Sequence, residues 1–128
     1  MSIPDKPDII SLGFVEEQEK YNAMAAARVL IMPSPYESLS IVLLESWYCK
    51  RPVLVNGKCP VLVGQCKRSN GGLWYNNYDE FEAGLSYLLK NEKNSCYLGE
   101  SGNRFTMNNY DWGVIEKKYL DAVNYVLR

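Results

Sequence analysis

The sequence predicts an α/β fold in which helices are layered on a small, mostly parallel sheet. Three observations predict it. Short apolar runs at 29–32 and 52–55 are bounded by turn residues, as strands buried on both faces are. Stretches rich in helix formers fall around and between them, at 16–27, 41–49 and 80–90. The chain has 128 residues, 47% of them apolar, and a chain of this size buries roughly two-thirds of its unfolded surface. Strands alternating with helices build a layered α/β domain. No repeat, low-complexity tract or linker divides the chain, so residues 1–128 read as a single unit.

The elements follow in order. Residues 1–8 are polar, carry Pro4 and Pro7, and read as a frayed start. Residues 9–12 (Ile-Ile-Ser-Leu) predict a short strand stopped by Gly13. The helix over 16–27 has acidic residues in its first turn, as the macrodipole prefers, and an apolar face of Tyr21, Met24 and Ala25. The strand 29–32, a polar loop over 33–40, the helix 41–49 and the strand 52–55 come next. Residues 57–72 look least regular, with glycines at 57, 64, 71 and 72 and Pro60, and allow a short strand at 61–63. A strand at 73–75 is closed by Asn76-Asn77. Asp79, with Glu82 three residues on, predicts a variant capping box for the helix 80–90, which carries Phe81, Leu85, Leu88 and Leu89 on one side. A helix over 95–103, extending toward Met107, precedes a last one over 111–127. In that helix Trp112, Ile115, Tyr119, Val123 and Val126 recur at amphipathic spacing.

Composition excludes several classes. A net charge of −1 offers no basic surface for nucleic acid. No apolar run reaches the roughly 20 residues of a membrane span, and the polar N-terminus is no signal peptide. Cys49, Cys59, Cys66 and Cys96 form no CxxC pair, which points to reduced thiols in a cytoplasmic protein. The absence of histidine argues against a metal site and removes Ser-His and Cys-His catalysis within this chain. Lys67-Arg68, Lys58 and Gln65 read as an open, solvated loop, and most tyrosines and tryptophans fall at core spacing.

The most informative stretch is 33–45, where Glu37 and Glu45 stand eight positions apart across a loop that turns into a helix. Strand, polar turn, helix, strand puts a helix N-terminus at the carboxyl end of a parallel sheet, where phosphate-bearing ligands bind. A nucleotide sugar needs amide donors for its diphosphate, a carboxylate for its ribose diol and another for the sugar hydroxyls. Residues 37–45 carry all three kinds of group. Glu45 follows four apolar residues and precedes Trp47 and Tyr48, so it sits in a largely buried helix and needs a partner or a ligand. Solvated positions for both glutamates are the alternative.

The spacing resembles the Glu-x7-Glu signature of retaining glycosyltransferases with the GT-B architecture, group 1 or family 4. The resemblance covers essentially the whole chain in order. It includes Ser11-Leu12-Gly13-Phe14-Val15, Pro33-Ser34, Leu43-Leu44-Glu45-Ser46, Arg51-Pro52-Val53-Leu54-Val55, Asn70-Gly71-Gly72-Leu73 and Asp111-Trp112. It implies a Rossmann-like three-layer sandwich forming part of the C-terminal, donor-binding domain. It implies transfer of a hexose from a nucleotide-diphosphate sugar to a hydroxyl acceptor with retention, with no metal or other cofactor. By the same resemblance, Glu37 contacts the donor sugar and acts as the catalytic residue. The amides of Ser38, Leu39 and Ser40 hold the diphosphate, Glu45 binds the ribose, and Gly13, Phe14 and Val15 lie near the base. The family has Gly-Phe-Gly where this chain has Ser38-Leu39-Ser40.

The resemblance also implies what lies outside the chain: an N-terminal acceptor domain, and the opening strand and basic pair of the donor domain. It implies peripheral membrane contact through the parent protein, and a role in polysaccharide assembly by family analogy. With its central first strand missing, the sheet is expected to draw 9–12 beside 29–32 or to self-associate through the open edge. Two other readings stay open: a non-catalytic nucleotide- or phosphate-binding α/β module, and a flavodoxin-like interaction domain with no use for Glu45.

Overall fold

The computed structural model describes residues 6–128, so most of the expected frayed start lies outside the described residues. Nine elements follow one another: α1 (Glu17–Ala26), β1 (Leu30–Met32), α2 (Ile41–Tyr48), β2 (Val53–Asn56), α3 (Pro60–Ser69), β3 (Gly72–Tyr75), α4 (Tyr78–Lys90), α5 (Glu92–Tyr110) and α6 (Trp112–Val126). The sheet has the order β1-β2-β3 and is parallel throughout, with Leu30 beside Val53 and Leu54 beside Leu73. The α/β expectation is met: helices flank a small parallel sheet.

The central strand shows why. Val53 and Val55 point to one face, where they meet Leu43, Leu44 and Trp47 of α2, Cys59 just before α3, and Leu62 and Cys66 within it. Leu54 points to the other, against Leu88 of α4 and Leu98 of α5. All three strand residues are fully buried, so the run reads as continuously apolar. Trp47 anchors the first face: its indole N–H donates to the Gly71 carbonyl at 2.9 Å, and its ring meets Phe105 edge-on at 6.0 Å. All four cysteines are free, and burial pushes the Cys66 thiol up to about 12.

Four expectations are corrected. Residues 9–12 form no strand, and Ile10 and Leu12 are 80% and 62% exposed. A strand is stable only when a neighbour pairs its backbone, and β1, three residues long, takes none on its outer edge among the described residues. The sheet therefore has three strands, not four. Residues 57–72 are not irregular: Pro60 occupies the first turn of α3, where its missing N–H costs nothing, and Leu62, Gln65, Cys66 and Ser69 recur inward at helical spacing. The run 61–63 is therefore helix, and Lys67-Arg68 lie on its last turn, with Lys67 5.5 Å from the centre of the Trp74 ring. Helix α5 starts three residues before 95 and runs three residues past Met107.

The fourth correction concerns α4, which begins at Tyr78 and is capped by Asn77, not Asp79. Asn77 Oδ1 accepts the Glu80 amide at 2.9 Å, and the Glu80 carboxylate accepts the amide of Asn76, one residue before the cap, at 2.8 Å, a variant of the capping box. The Asn76 amide, with the Asn76 and Asn77 side chains behind it, holds the Glu80 carboxyl below its ordinary value. A carboxyl whose folded value is depressed stabilises the fold above its unfolded value and loses that contribution as pH falls through the folded one. Glu80→Gln should therefore lower the melting temperature at neutral pH and leave it nearly unchanged in acid, as thermal unfolding at the two pH values will show.

Helix α6 is amphipathic as expected, and Asp111 caps it by accepting the Gly113 amide at 3.2 Å. None of its residues is buried, however, and Trp112, Tyr119 and Val126 are mostly exposed. No helix among the described residues is long and apolar enough to cross a membrane.

Candidate functional site

The loop between β1 and α2 is fixed at its start by Asn56, whose side-chain amide donates to the Pro33 carbonyl at 2.8 Å. The Ser34 hydroxyl then donates to the Tyr36 carbonyl at 2.8 Å, which tightens the turn. Glu37 follows half-buried, and Ser38 and Leu39 are exposed. The loop ends on Ser40, the N-cap of α2, in the left-handed region at φ 61° and ψ 79°. Ser40 makes no side-chain capping bond, and its hydroxyl oxygen is buried without a partner among the described residues. A helix start thus opens at the carboxyl end of the sheet with free amides and an unanswered hydroxyl.

The φ of Ser40 accounts for the glycine that the resembled motif carries there, because only glycine adopts that conformation without strain. Left-handed backbone costs a residue with a Cβ about 1–2 kcal/mol, and an unsatisfied buried hydroxyl costs about 1–3 kcal/mol. The greater chain entropy of glycine when unfolded offsets roughly 0.4–1 kcal/mol of that. Ser40→Gly should therefore stabilise the protein, raising the melting temperature by roughly 4 °C for about 1 kcal/mol. A lower melting temperature in differential scanning calorimetry would show that the hydroxyl has a role in the fold.

Glu45 lies one turn into α2, with its side chain only 14% exposed. Lys20 Nζ donates to its Oε1 at 2.6 Å and the Tyr21 hydroxyl donates to the same oxygen at 3.2 Å. The buried carboxylate therefore has the partners its position demands, both supplied by α1. Its bond to Glu45 raises the Lys20 ammonium above its ordinary value against some loss of solvation. Burial, then the Glu45 charge, raises the Tyr21 phenol. Both bonds fall on Oε1, so Oε2 has no hydrogen-bond partner among the described residues.

Glu45 opens on a cleft of about 590 Å³ between α1, α2 and the α5–α6 junction, a volume within the roughly 300–1,000 Å³ of small-molecule sites. Its walls are largely apolar and aromatic, with Leu39, Tyr48, Tyr110 and Trp112 among them. Thr106 adds a second buried hydroxyl without a partner.

The fold thus brings Leu39 and Glu45 to one cleft, with Ser40 between them in sequence. Glu37 and Ser38 stand in the preceding loop. Gly13 and Phe14 do not line the cleft: Phe14 is 96% exposed, and Gly13 turns the chain at φ 60°. Lys20 and Thr106 escaped the sequence reading, and Tyr21 was expected only as packing. A lysine and a tyrosine side by side on a helix carry no signal until the fold sets them against Glu45.

Comparison with known proteins assigns the chain to one family. The sequence profile of the family described as glycosyl transferases group 1 matches residues 6–107. A protein of Methanocaldococcus jannaschii described as an uncharacterised glycosyltransferase is 26% identical over 116 residues, covering 89% of this chain and 30% of its own length. The chain therefore spans less than a third of the curated relative it matches. No solved structure matches the chain.

Proposed function

The chain belongs to the glycosyl transferases group 1 family, and we propose that residues 1–128 form part of the donor-binding domain of a retaining GT-B hexosyltransferase. The observation that carries this is the start of α2: free amides and the buried, unpartnered Ser40 hydroxyl among the described residues, one turn from a carboxylate only 14% exposed. The amides of Ser38, Leu39 and Ser40 would hold the diphosphate of a nucleotide sugar. The free Oε2 of Glu45 would accept the ribose hydroxyls while Lys20 and Tyr21 hold Oε1 in place. Glu37 would face the sugar, and the exposed turn of Gly13 and Phe14 would close on the base.

Catalysis would rest on the departing diphosphate. Charge builds on it as the glycosidic bond breaks, and donors already aimed at it lower that barrier without reorganising. The hydroxyl acceptor would be bound by a separate N-terminal domain, and contact with membranes would be peripheral, through the parent protein.

Ligand-observed NMR with UDP, GDP, ADP and their hexose conjugates tests the proposal. One nucleotide series should bind, its sugar conjugate at least as well as the bare diphosphate. Failure of every series to bind the folded chain would contradict it.

The open edge of β1 and the exposed apolar stripe of α6 would meet the rest of the parent protein. In the isolated chain these surfaces should pair between copies, as unpaired strand edges do. Sedimentation velocity is expected to show concentration-dependent association of the 14.6 kDa chain. A single monomeric boundary at every soluble concentration would refute it.

A further inference from the structure

The amino end of the sheet, opposite Ser40 and Glu45, carries a second concavity. The chain passes this end just before β1 and just before β2, and there it places Arg28, Lys50 and Arg51 around one pocket of about 190 Å³. The first turn of α5 forms the facing wall with Glu92, Ser95 and Cys96.

Helix ends account for part of this charge. Arg51 donates to the Ala25 carbonyl at the end of α1 at 2.5 Å, and Arg28 to the Leu89 carbonyl near the end of α4 at 3.3 Å. Each bond uses one of the five donors on a guanidinium. The Nε–H of Arg51 is buried without a partner, and the Lys50 ammonium makes no side-chain hydrogen bond or ion pair among the described residues. Glu92 is the one carboxylate among the lining residues, and none of the three cations lies within ion-pair distance of it. Three cations to one carboxylate, with a buried donor unanswered, is an arrangement that lacks an anion.

We propose that this pocket binds a phosphate group, free or as the head of a small phosphoester. Size sets the class. The space equals about six waters at roughly 30 Å³ each and falls short of the roughly 300 Å³ at which drug-sized ligands begin. A phosphate fits. Phosphate also matches the donors, because a dianion takes several charge-assisted bonds at once. The first turn of α5 borders the same space, and Asn91 makes no side-chain cap there. The site lies at the other end of the strands from the donor cleft and stands independently of it.

Amide NMR of the whole chain, titrated at constant ionic strength with inorganic phosphate and separately with glycerol 3-phosphate, tests this. Saturable shifts are expected at the amides of 92–95 and at the Arg51 Nε–H. Tighter binding of the phosphoester would identify a headgroup as the ligand, and tighter binding of inorganic phosphate the free ion. Lys50→Gln, at an exposed position, should keep the melting temperature and weaken binding roughly tenfold or more, as loss of one charge-assisted bond predicts. Arg28→Gln should weaken binding as much, with a slightly lower melting temperature because its bond to the Leu89 carbonyl is also lost. Shifts that stay linear in concentration, or a Lys50→Gln protein that binds as tightly as the parent, would overturn the proposal.

Discussion

Alanine at Gly99 is expected to cost the protein about 3 kcal/mol or more, at the upper end of what overpacking does. A Cβ built there would lie 2.1 Å from the Lys50 carbonyl oxygen and 2.7 Å from its carbon. Both are backbone atoms of the turn that leads into β2, so no side chain can swing aside. Gly102, one turn on, meets the same limit at a different neighbour: its added Cβ would stand 2.2 Å from Cδ1 of Trp47. That ring is fully buried and pinned by its bond to Gly71. Against a total stability of roughly 5–15 kcal/mol, either change should lower the melting temperature by about 10 °C or more. Gly113→Ala is the control, because its Cβ would find only Asp111 Oδ2 at 3.6 Å, in ordinary contact. A Gly99→Ala protein that melts with the parent would mean that α5 does not pack on the Lys50 turn as described.

Those glycines also explain which parts of the fold were legible in the sequence. The strands 29–32, 52–55 and 73–75 declared themselves because apolar runs between turn residues have one use in a parallel sheet. Helix α5 declared only its middle, over 95–103, because its buried face sets one large apolar side chain, Leu98, among Ser95, Gly99, Ser101, Gly102 and Thr106. That stripe has helical spacing, but its other residues are small, and a search for large apolar side chains passes over them. The same small residues let α5 approach the Trp47 face closely, so the feature that blurred the ends of the helix is the one that packs it. Helix α3 was obscured for a different reason. Glycine and proline at 57, 60 and 64 signal a loop, yet Pro60 merely starts the helix and Gly64 sits within it. Residues 9–12 erred the other way. Their strand pattern is real, but a strand exists only with a neighbour, and neighbours are a property of topology.

The candidate site divides similarly. Burial of Glu45 and its need for a partner followed from the apolar residues on either side. The identity of the partners, Lys20 and Tyr21, required the packing of α1 on α2. The strain at Ser40 was visible only as a departure from glycine, and became physical once its φ was known.

Glu45→Ala carries the second large effect, and it falls on binding. Hydrogen bonds to a charged group contribute about 1.5–3 kcal/mol each, so losing the ribose carboxylate should weaken nucleotide binding roughly thirtyfold or more. The fold itself should lose little. Lys20 is 35% exposed and can return to water, and an ion pair open to solvent contributes little to stability. Lys20→Met should weaken binding less, by a few-fold, because Tyr21 still holds Oε1. Calorimetric titration of the three proteins, with melting temperatures measured beside them, separates lost binding from lost structure. Equal affinity in the parent and Glu45→Ala would remove Glu45 from the donor site.

The most direct test of the central claim is to map where the nucleotide diphosphate sits. Amide NMR of the chain, titrated with whichever of UDP, GDP or ADP binds, reads every backbone position at once. Saturable shifts at the amides of 38–41, accompanied by residues of the cleft around Glu45, are the predicted result. Saturable binding that leaves 38–41 unmoved and shifts another part of the fold would contradict the assignment of the start of α2 as the diphosphate site.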